Sequence, residues 1–158
     1  MVLGYAEILP GQTGHDAGRV LLEKLYIEHT GEPLPQIALQ SRGKPYFVTG
    51  KWYFSISHTP KNAFCVLAEH PVGIDAEQMD RQINLALAEK ILSPSEREQF
   101  DAAEDQRLAL LTFWVLKEAA AKLTGEGLRG YPEKGNFRLD DPRVQIINSC
   151  LVAVIEDK

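Results

Sequence analysis

The pattern of apolar and polar positions predicts short strands distributed around two long helices. Helical spacing of apolar residues predicts one helix from Asp16 to about His29, ended by Gly31, and a second from Leu108 to Thr124. Apolar runs and alternating patterns predict the strands Val2 to Leu9, Gln36 to Leu39, Trp52 to Ser57, Ala63 to Ala68, Val72 to Glu77, Val144 to Ile147 and Cys150 to Ile155. Each half of the chain therefore runs strand, helix and then strands, which suggests a duplication.

Shorter elements complete this prediction. The residues from Ile83 to Leu92 have a helical pattern, and Ser93-Pro94-Ser95-Glu96 is a start signal for a further helix. In that signal Glu96 is the third helical residue and closes a capping box, which is a structural role. The pair Asn148-Ser149 between the last two strands predicts a closing hairpin, and Gly127 to Gly135 is predicted to be a loop.

Composition predicts one globular domain, or two small half-domains that share a core. The chain has 158 residues, is 44% hydrophobic and has no apolar run of the roughly 20 residues that span a bilayer. Its first ten residues lack the features of a signal peptide. The two cysteines, Cys65 and Cys150, lie inside apolar strand-like runs and are predicted to be buried thiols. We therefore expect a cytosolic protein that does not contact membranes.

The net charge of −5 is unevenly distributed along the chain. No acid occurs between Pro33 and Ala68, a segment that carries Arg42, Lys44, Lys51, His58 and Lys61. Ten acids lie between Glu69 and Asp105. A basic segment followed by an acidic one fits an anionic ligand that meets a metal site, although two differently charged solvated surfaces would have the same pattern. The acidic total and the separation of aromatic from basic residues argue against nucleic acid as a partner.

Two carboxylates are predicted to lie on one face of the Val72 to Glu77 strand. Side chains alternate across a strand, so Asp75 and Glu77 share a face and lie roughly 6–7 Å apart. Such a pair suits Mg²⁺, which takes oxygen ligands and completes its shell with water and substrate phosphate. The alternative interpretation is an edge strand with two solvated acids.

The helix from Leu108 to Thr124 is apolar on nearly every side, which is typical of a buried helix. Glu118 and Lys122 lie one turn apart on the face that also carries Trp114. Since a buried charge is costly unless it is paired or bound to metal, Glu118 is predicted to be a third carboxylate for the cation. Lys122 would then contact phosphate or transfer a proton. The alternative is an exposed Glu118–Lys122 ion pair that contributes only about 0.3–0.5 kcal/mol.

Two further segments carry polar side chains that suit phosphate. Gly43-Lys44-Pro45 presents a lysine on a tight turn, which is by itself an unspecific pattern. His58 follows Ser57 at a strand end and is able to donate to a phosphate, although a histidine at this position is more often structural. Neighbouring residues point to opposite faces of a strand, so Ser57 and His58 are not predicted to form a nucleophilic relay.

Taken in order, these segments resemble the surfactin-synthetase-activating type of the 4'-phosphopantetheinyl transferase superfamily. The resemblance spans about residues 19 to 137. The matching pieces are Gly43-Lys44-Pro45, Ile56-Ser57-His58-Thr59, Gly73-Ile74-Asp75-Ala76-Glu77, the helix from Trp114 through Lys117-Glu118 to Lys122, and Gly125-Glu126-Gly127-Leu128. Each motif alone is unspecific, whereas their common order and spacing are specific.

The resemblance implies an enzyme that transfers the 4'-phosphopantetheine arm of coenzyme A to a serine of an apo acyl or peptidyl carrier protein. Asp75, Glu77 and Glu118 would hold Mg²⁺ against the pyrophosphate of the coenzyme. The phosphate contacts would come from Lys44, Ser57, His58 and Lys122. The implied general base is Glu118 with help from Lys122, and Glu96 is an alternative that matches a family glutamate by position.

The fold implied by the resemblance is α+β, with two pseudo-symmetric half-domains that each pack a helix on an antiparallel sheet. We place the N-terminal half at residues 1–70 and the C-terminal half, with the metal site, at residues 71–158. The active site would lie between the halves, and one chain would suffice as a monomer. The acidic helix of a carrier protein would meet the basic segment from Arg42 to Lys61.

The chain departs from the family pattern at both ends and at Thr59, where a serine is usual. Arg19 and His15 are the candidates for early basic residues that bind the coenzyme. Two other functions use similar residues: a Mg²⁺-dependent hydrolase of a pyrophosphate bond, and a non-catalytic module that binds coenzyme A or a carrier.

Overall fold

The structure is a computed structural model that describes residues 1–127 and 135–158. Within these ranges the helices are α1 (Gly14–Thr30), α2 (Ala88–Ile91), α3 (Pro94–Ala102) and α4 (Gln106–Thr124). The strands are β1 (Val2–Glu7), β2 (Ile37–Leu39), β3 (Pro45–Phe47), β4 (Tyr53–His58), β5 (Asn62–Ala68), β6 (Val72–Gln78), β7 (Val144–Ile147) and β8 (Cys150–Glu156). Most of the predicted loop after Gly127, including Leu128 of the last motif, lies outside the described residues.

The sheet topology repeats once along the chain. Antiparallel pairing gives sheets of order β1-β5-β4 and β6-β8-β7, and β2 pairs with β3 in a separate hairpin. In each three-stranded sheet a first strand precedes a long helix, a hairpin follows, and the last strand lies in the centre. The predicted α+β class, with helices packed on antiparallel sheets, is confirmed. The half-domain division after residue 70 stays a prediction, and each three-stranded sheet draws its strands from one side of it.

Apolar side chains arrange these elements in layers. One face of β5 packs against one face of β6 and β8 through a core that includes Phe64, Ile74 and Val152. The opposite face of β5 packs on α1, and the opposite face of β8 packs on α4. The order of layers is therefore α1, first sheet, second sheet, α4. This order follows from the period of two in the central strands, whose alternate residues enter different cores.

Serine hydroxyls on β4 join the two sheets. The backbone N–H of Ile74 donates to Ser55 Oγ at 3.1 Å, and the N–H of Ala76 donates to Ser57 Oγ at 3.2 Å. In the sheets formed by the described residues, β6 lies at the edge, so these N–H groups have no neighbouring strand on that side. Buried backbone donors require a partner, and the two serines provide it.

Helix ends follow the predicted signals, with one exception. Gly31 and Gly125 end α1 and α4 in the left-handed conformation, at φ 72° in both cases. The helix predicted from Ile83 to Leu92 is wrong over its first half, because regular α-helix is confined to α2 and follows a 3₁₀ turn at Leu85–Leu87. The Asn84 side chain accepts from the N–H of Ala86 and so caps that turn, an interaction that competes with helix.

The two cysteines are free and buried, as predicted. Burial raises the pKa of Cys65 to about 12, so this thiol is a packing group and not a nucleophile. Among the residues described, we find no helix with the length and apolarity needed to cross a bilayer.

Gly73 permits a close approach of α4 to β6. A Cβ atom at Gly73 would lie 2.0 Å from the carbonyl oxygen of Ala119 and 2.5 Å from the backbone nitrogen of Leu123. Both atoms belong to the backbone of α4, which has no rotamer with which to move away. The helix therefore lies directly on β6, at the first residue of the Gly-Ile-Asp-x-Glu motif.

We predict that Gly73→Ala destabilises the protein by about 3 kcal/mol, because overpacking against backbone shifts α4 from β6. Urea unfolding measures this change. Gly4→Ala is the matched control, since its Cβ would meet only the rotatable side chain of Leu25 at 3.0 Å and is expected to change the free energy of unfolding by less than about 1 kcal/mol. Equal stability of Gly73→Ala and the parent would contradict the close packing described here.

Candidate active site

The close packing of α4 on β6 brings together the predicted acids and the predicted helix face. Gly73, Asp75 and Glu77 alternate with the core residues of β6 and therefore face α4. On α4, Trp114 and Lys122 contact this face at its two ends: Trp114 hydrogen-bonds Glu77, and Lys122 pairs with Asp75. Glu118 lies between them, one turn from each.

Asp75 is the most enclosed carboxylate of the group, with a relative exposure of 6%. Its Oδ1 accepts from Ser57 Oγ at 3.1 Å and from Lys122 Nζ at 2.7 Å. Its Oδ2 is buried and has no hydrogen-bond partner within the described part of the chain. Buried carboxylate oxygens are normally satisfied, so this oxygen is a site where a cation would be stabilised.

Glu77 carries its own positive partner. Arg81, four residues after Glu77, pairs through Nη1 with Glu77 Oε1. The Arg81 guanidinium lies 5.7 Å from the centre of the Trp114 ring. Burial raises the pKa of Glu77, and the negative charge of Asp75 raises it further, while Arg81, Trp114 and Lys122 act in the opposite direction. The two carboxylates therefore repel each other, and added positive charge between them would relieve that repulsion.

Glu118 is half-buried and lines a cleft of about 260 Å³ beside Lys122. The opposite wall of the cleft comes from the turn that carries Arg42 and Lys44, and from Phe54 and Ser55 on β4. The cleft thus lies between the two halves of the chain, with one acid and three basic side chains around a largely apolar floor. An anion with an apolar or aromatic part suits these walls.

The basic turn is held against the end of α4. Lys44 Nζ donates to the carbonyl oxygen of Leu123 at 2.5 Å, and Arg42 Nη1 donates to that of Glu126 at 3.2 Å. Leu123 lies in the last turn of α4, where the carbonyls lack intrahelical partners and carry partial negative charge, which attracts such a cation. Burial lowers the pKa of Lys44. The turn is therefore fixed in place by contacts with the second half.

Ser57 and His58 point in opposite directions, as the strand pattern predicts. Ser57 is buried and bonds Asp75 and the backbone of β6, so it positions the carboxylate. His58 is exposed and lies against the start of α1, where a Cβ atom at Gly14 would come within 2.3 Å of its Nδ1. The structure therefore separates Ser57 from His58 and places His58 beside the helix N-terminus.

Three predicted metal ligands come from the facing elements β6 and α4. No group of three or more His, Cys, Asp or Glu side chains in residues 1–127 and 135–158 is spaced as a metal site. Asp75 and Glu77 instead pair with Lys122 and Arg81. Asp75 Oδ2, which has no hydrogen-bond partner among the described residues, is suited to a cation. The binding of that cation by Asp75, Glu77 and Glu118 together stays a prediction.

Glu96, the alternative general base, lies in a closed structural site. Its carboxylate pairs with Lys117 at 2.7 Å, and both side chains have no exposed surface. Glu96 Oε1 also accepts from the N–H of Ser93, which completes the predicted capping box. Lys117 lies within a matching motif, but local patterns do not predict its role, since its partner lies 21 positions away and on another helix.

Comparison with known proteins identifies relatives for this chain. The family model described as the 4'-phosphopantetheinyl transferase superfamily matches residues 71–151. A 4'-phosphopantetheinyl transferase of Aneurinibacillus migulanus, gsp, is 30% identical over an alignment of 134 residues that covers 82% of this chain and 55% of that protein. The region matched by the family model, residues 71–151, contains β6, α4 and most of the second sheet.

Two further relatives carry the same description. The 4'-phosphopantetheinyl transferase psf-1 of Bacillus pumilus is 32% identical over an alignment of 123 residues that covers 72% of this chain and 52% of that protein. The transferase AcpT of Escherichia coli is 36% identical over an alignment of 115 residues that covers 69% of this chain and 56% of that protein. The chain therefore spans about half the length of the curated relatives it matches.

We predict that Lys117→Met destabilises the protein by about 3–5 kcal/mol, because it leaves Glu96 buried without a countercharge. Chemical denaturation measures the loss. The double variant Glu96→Gln with Lys117→Met removes both charges and is expected to recover most of it. Equal losses in the single and double variants would show that packing, and not charge pairing, stabilises this position.

Proposed function

This chain belongs to the 4'-phosphopantetheinyl transferase superfamily, and on that premise we propose that it transfers the 4'-phosphopantetheine arm of coenzyme A to a serine of an apo acyl or peptidyl carrier protein. The single observation that most supports this activity is the buried carboxylate of Asp75. One of its oxygens is bound by Lys122 and Ser57, and the other is unpartnered among the described residues. A carboxylate with one free oxygen beside a basic cleft suits a cation that binds there together with a polyphosphate substrate.

The proposed cofactor is Mg²⁺, held by Asp75, Glu77 and Glu118. When bound, it would neutralise negative charge on the coenzyme A pyrophosphate as the phosphoryl group transfers. The donor set is all oxygen, which is the ligand chemistry that Mg²⁺ prefers. Ser57 contributes by fixing the orientation of Asp75 through a hydrogen bond of 3.1 Å.

The proposed phosphate contacts are Lys44, Ser57, His58 and Lys122. Lys44 and Lys122 stand on opposite sides of the cleft beside Glu118, so a bound pyrophosphate would meet positive charge from both halves. His58 is exposed beside the N-terminus of α1, where N–H groups also favour an anion. Ser57 is buried and bonds the Asp75 carboxylate and the N–H of Ala76, so we propose that it affects phosphate binding through Asp75.

In the proposed reaction, the hydroxyl oxygen of the carrier serine attacks the phosphorus that bears the pantetheine arm. The bond from that phosphorus to the bridging oxygen breaks, and adenosine 3',5'-bisphosphate leaves. Glu118 accepts the serine proton, directly or through water, and the Lys122 ammonium stabilises the negative charge that remains. Glu96 is not used, because Lys117 and backbone N–H groups surround its buried carboxylate.

We predict that the chain, mixed with coenzyme A, Mg²⁺ and an apo carrier protein, adds one phosphopantetheine arm to the carrier. Intact-protein mass spectrometry of several fatty-acid, polyketide and peptide carriers measures the gain. Cleavage of coenzyme A without carrier loading would instead identify a pyrophosphate hydrolase. Binding of coenzyme A or carrier without either product would identify a non-catalytic relative.

Substitution at Glu118 tests its proposed double role as metal ligand and general base. Glu118→Gln is expected to lower the loading rate about 10²–10⁴-fold, because the amide cannot accept the serine proton. The melting temperature is expected to change little, because glutamine has nearly the same size and the side chain is only half-buried. Glu98→Gln, an exposed glutamate on α3, is the control and is expected to load at the parent rate. A parent-like rate for Glu118→Gln would overturn the assignment of the base.

A further inference from the structure

Arg81 pairs with Glu77 from a position that sequence analysis did not single out. It follows β6 by three residues, and its guanidinium contacts the Glu77 carboxylate while lying over the Trp114 ring. The Arg81 side chain is 41% exposed, whereas that of Glu77 is 19% exposed. Glu77 is thus approached from solvent by a cation that is itself accessible.

The backbone around Arg81 is held more firmly than its side chain. Arg107 Nη1, on α4, donates to the carbonyl oxygens of Met79 at 2.7 Å and of Arg81 at 2.9 Å. These bonds fix the chain after β6 against the helix. The guanidinium itself is attached through a flexible stem, so it is able to leave Glu77 without movement of the backbone.

The two counter-cations of the acidic pair differ in one respect. Lys122 binds only Oδ1 of Asp75, which leaves Oδ2 for another cation without loss of the ion pair. Glu77, by contrast, is the more exposed carboxylate: Arg81 covers it from the solvent side at Oε1, and Trp114 bonds it from α4. A metal ion that uses Asp75 and Glu77 together therefore competes with Arg81 and leaves Lys122 in place.

We propose that Arg81 is a displaceable counter-ion that occupies Glu77 in the metal-free protein and must leave when a divalent cation binds. This inference rests on the metal site of the proposed function. Arg81 lowers the affinity for the cation, because each binding event breaks the Arg81–Glu77 pair and places two positive groups near each other. Trp114 offers the released guanidinium an aromatic face close to its starting position.

The test is direct binding of Mn²⁺ alone to the full chain, followed by electron paramagnetic resonance of the free ion. Arg81→Ala is expected to bind Mn²⁺ about fivefold to tenfold more tightly than the parent. Asp75→Asn is expected to lose most of the binding, which assigns the ion to this site.

Arg97→Ala is a closely matched control. Arg97 pairs with Asp101 at the same four-residue spacing, is 40% exposed and lies 5.6 Å from the centre of the Phe100 ring, and it is on α3 outside the acidic pair. The Arg97→Ala substitution therefore removes the same charge as Arg81→Ala from a similar surface environment. We expect it to bind Mn²⁺ within about twofold of the parent.

The outcomes separate this inference from the function on which it rests. Parent-like affinity in Arg81→Ala, together with lost binding in Asp75→Asn, would overturn the role of Arg81 and leave the metal site standing. An equal gain in Arg81→Ala and Arg97→Ala would also overturn it, since net charge alone would explain the change. Absence of Mn²⁺ binding in every protein, or binding unaffected by Asp75→Asn, would overturn both the inference and the proposed metal site.

Discussion

Two serine hydroxyls at the meeting of the sheets determine where the site lies. Ser55 and Ser57 accept the N–H groups of Ile74 and Ala76, which β6 presents at the edge of its sheet. Ser57 then uses its only proton for the carboxylate of Asp75. One hydroxyl therefore satisfies the backbone of the second half and orients the buried acid that lies beneath α4. The proposed chemistry depends on this junction, because it sets the place of Asp75 relative to the first half.

The orientation of α4 about its own axis is the second constraint. Lys117 and Glu118 are adjacent, yet Lys117 pairs with Glu96 in the interior while Glu118 reaches the cleft. Because neighbouring residues on a helix differ by about 100° in direction, pairing of the first fixes the direction of the second. Gly73 sets the distance between helix and strand, and Lys117 sets the rotation. A buried ion pair adds little net stability, so its value here is better explained by this specification of geometry.

Local sequence patterns were sufficient for the elements but not for their partners. The periodicity of α4, the capping box before α3 and the turn at Asn148-Ser149 each depend on neighbours in sequence, and the structure confirms them. The family resemblance is confirmed by the match over residues 71–151. The first half of the predicted Ile83–Leu92 helix was wrong because a single asparagine side chain outweighed a weak helical pattern.

Pairings between distant residues were beyond such patterns. The bonds from Lys122 to Asp75 and from Lys117 to Glu96 join residues 47 and 21 positions apart. Sequence analysis predicted that Asp75 and Glu118 would share a site, but it gave no signal that Arg81 would cover Glu77. It also treated Ser57 as a ligand for phosphate, whereas its buried bonds to β6 depend on how the sheets meet.

The two halves share a topology, but only the second places an acid on the strand face beneath its long helix. In the first half, Gly4 on β1 faces the Leu25 side chain of α1, and the next residue on the same face is Ala6, which packs into an apolar core. In the second half, Gly73 has the same place under α4, and the next residue on that face is Asp75. An acid under a packed helix would be strongly destabilising if it stood alone. It is tolerated beneath α4 because Lys122 and Ser57 neutralise and bond one oxygen, which leaves the other available for a cation.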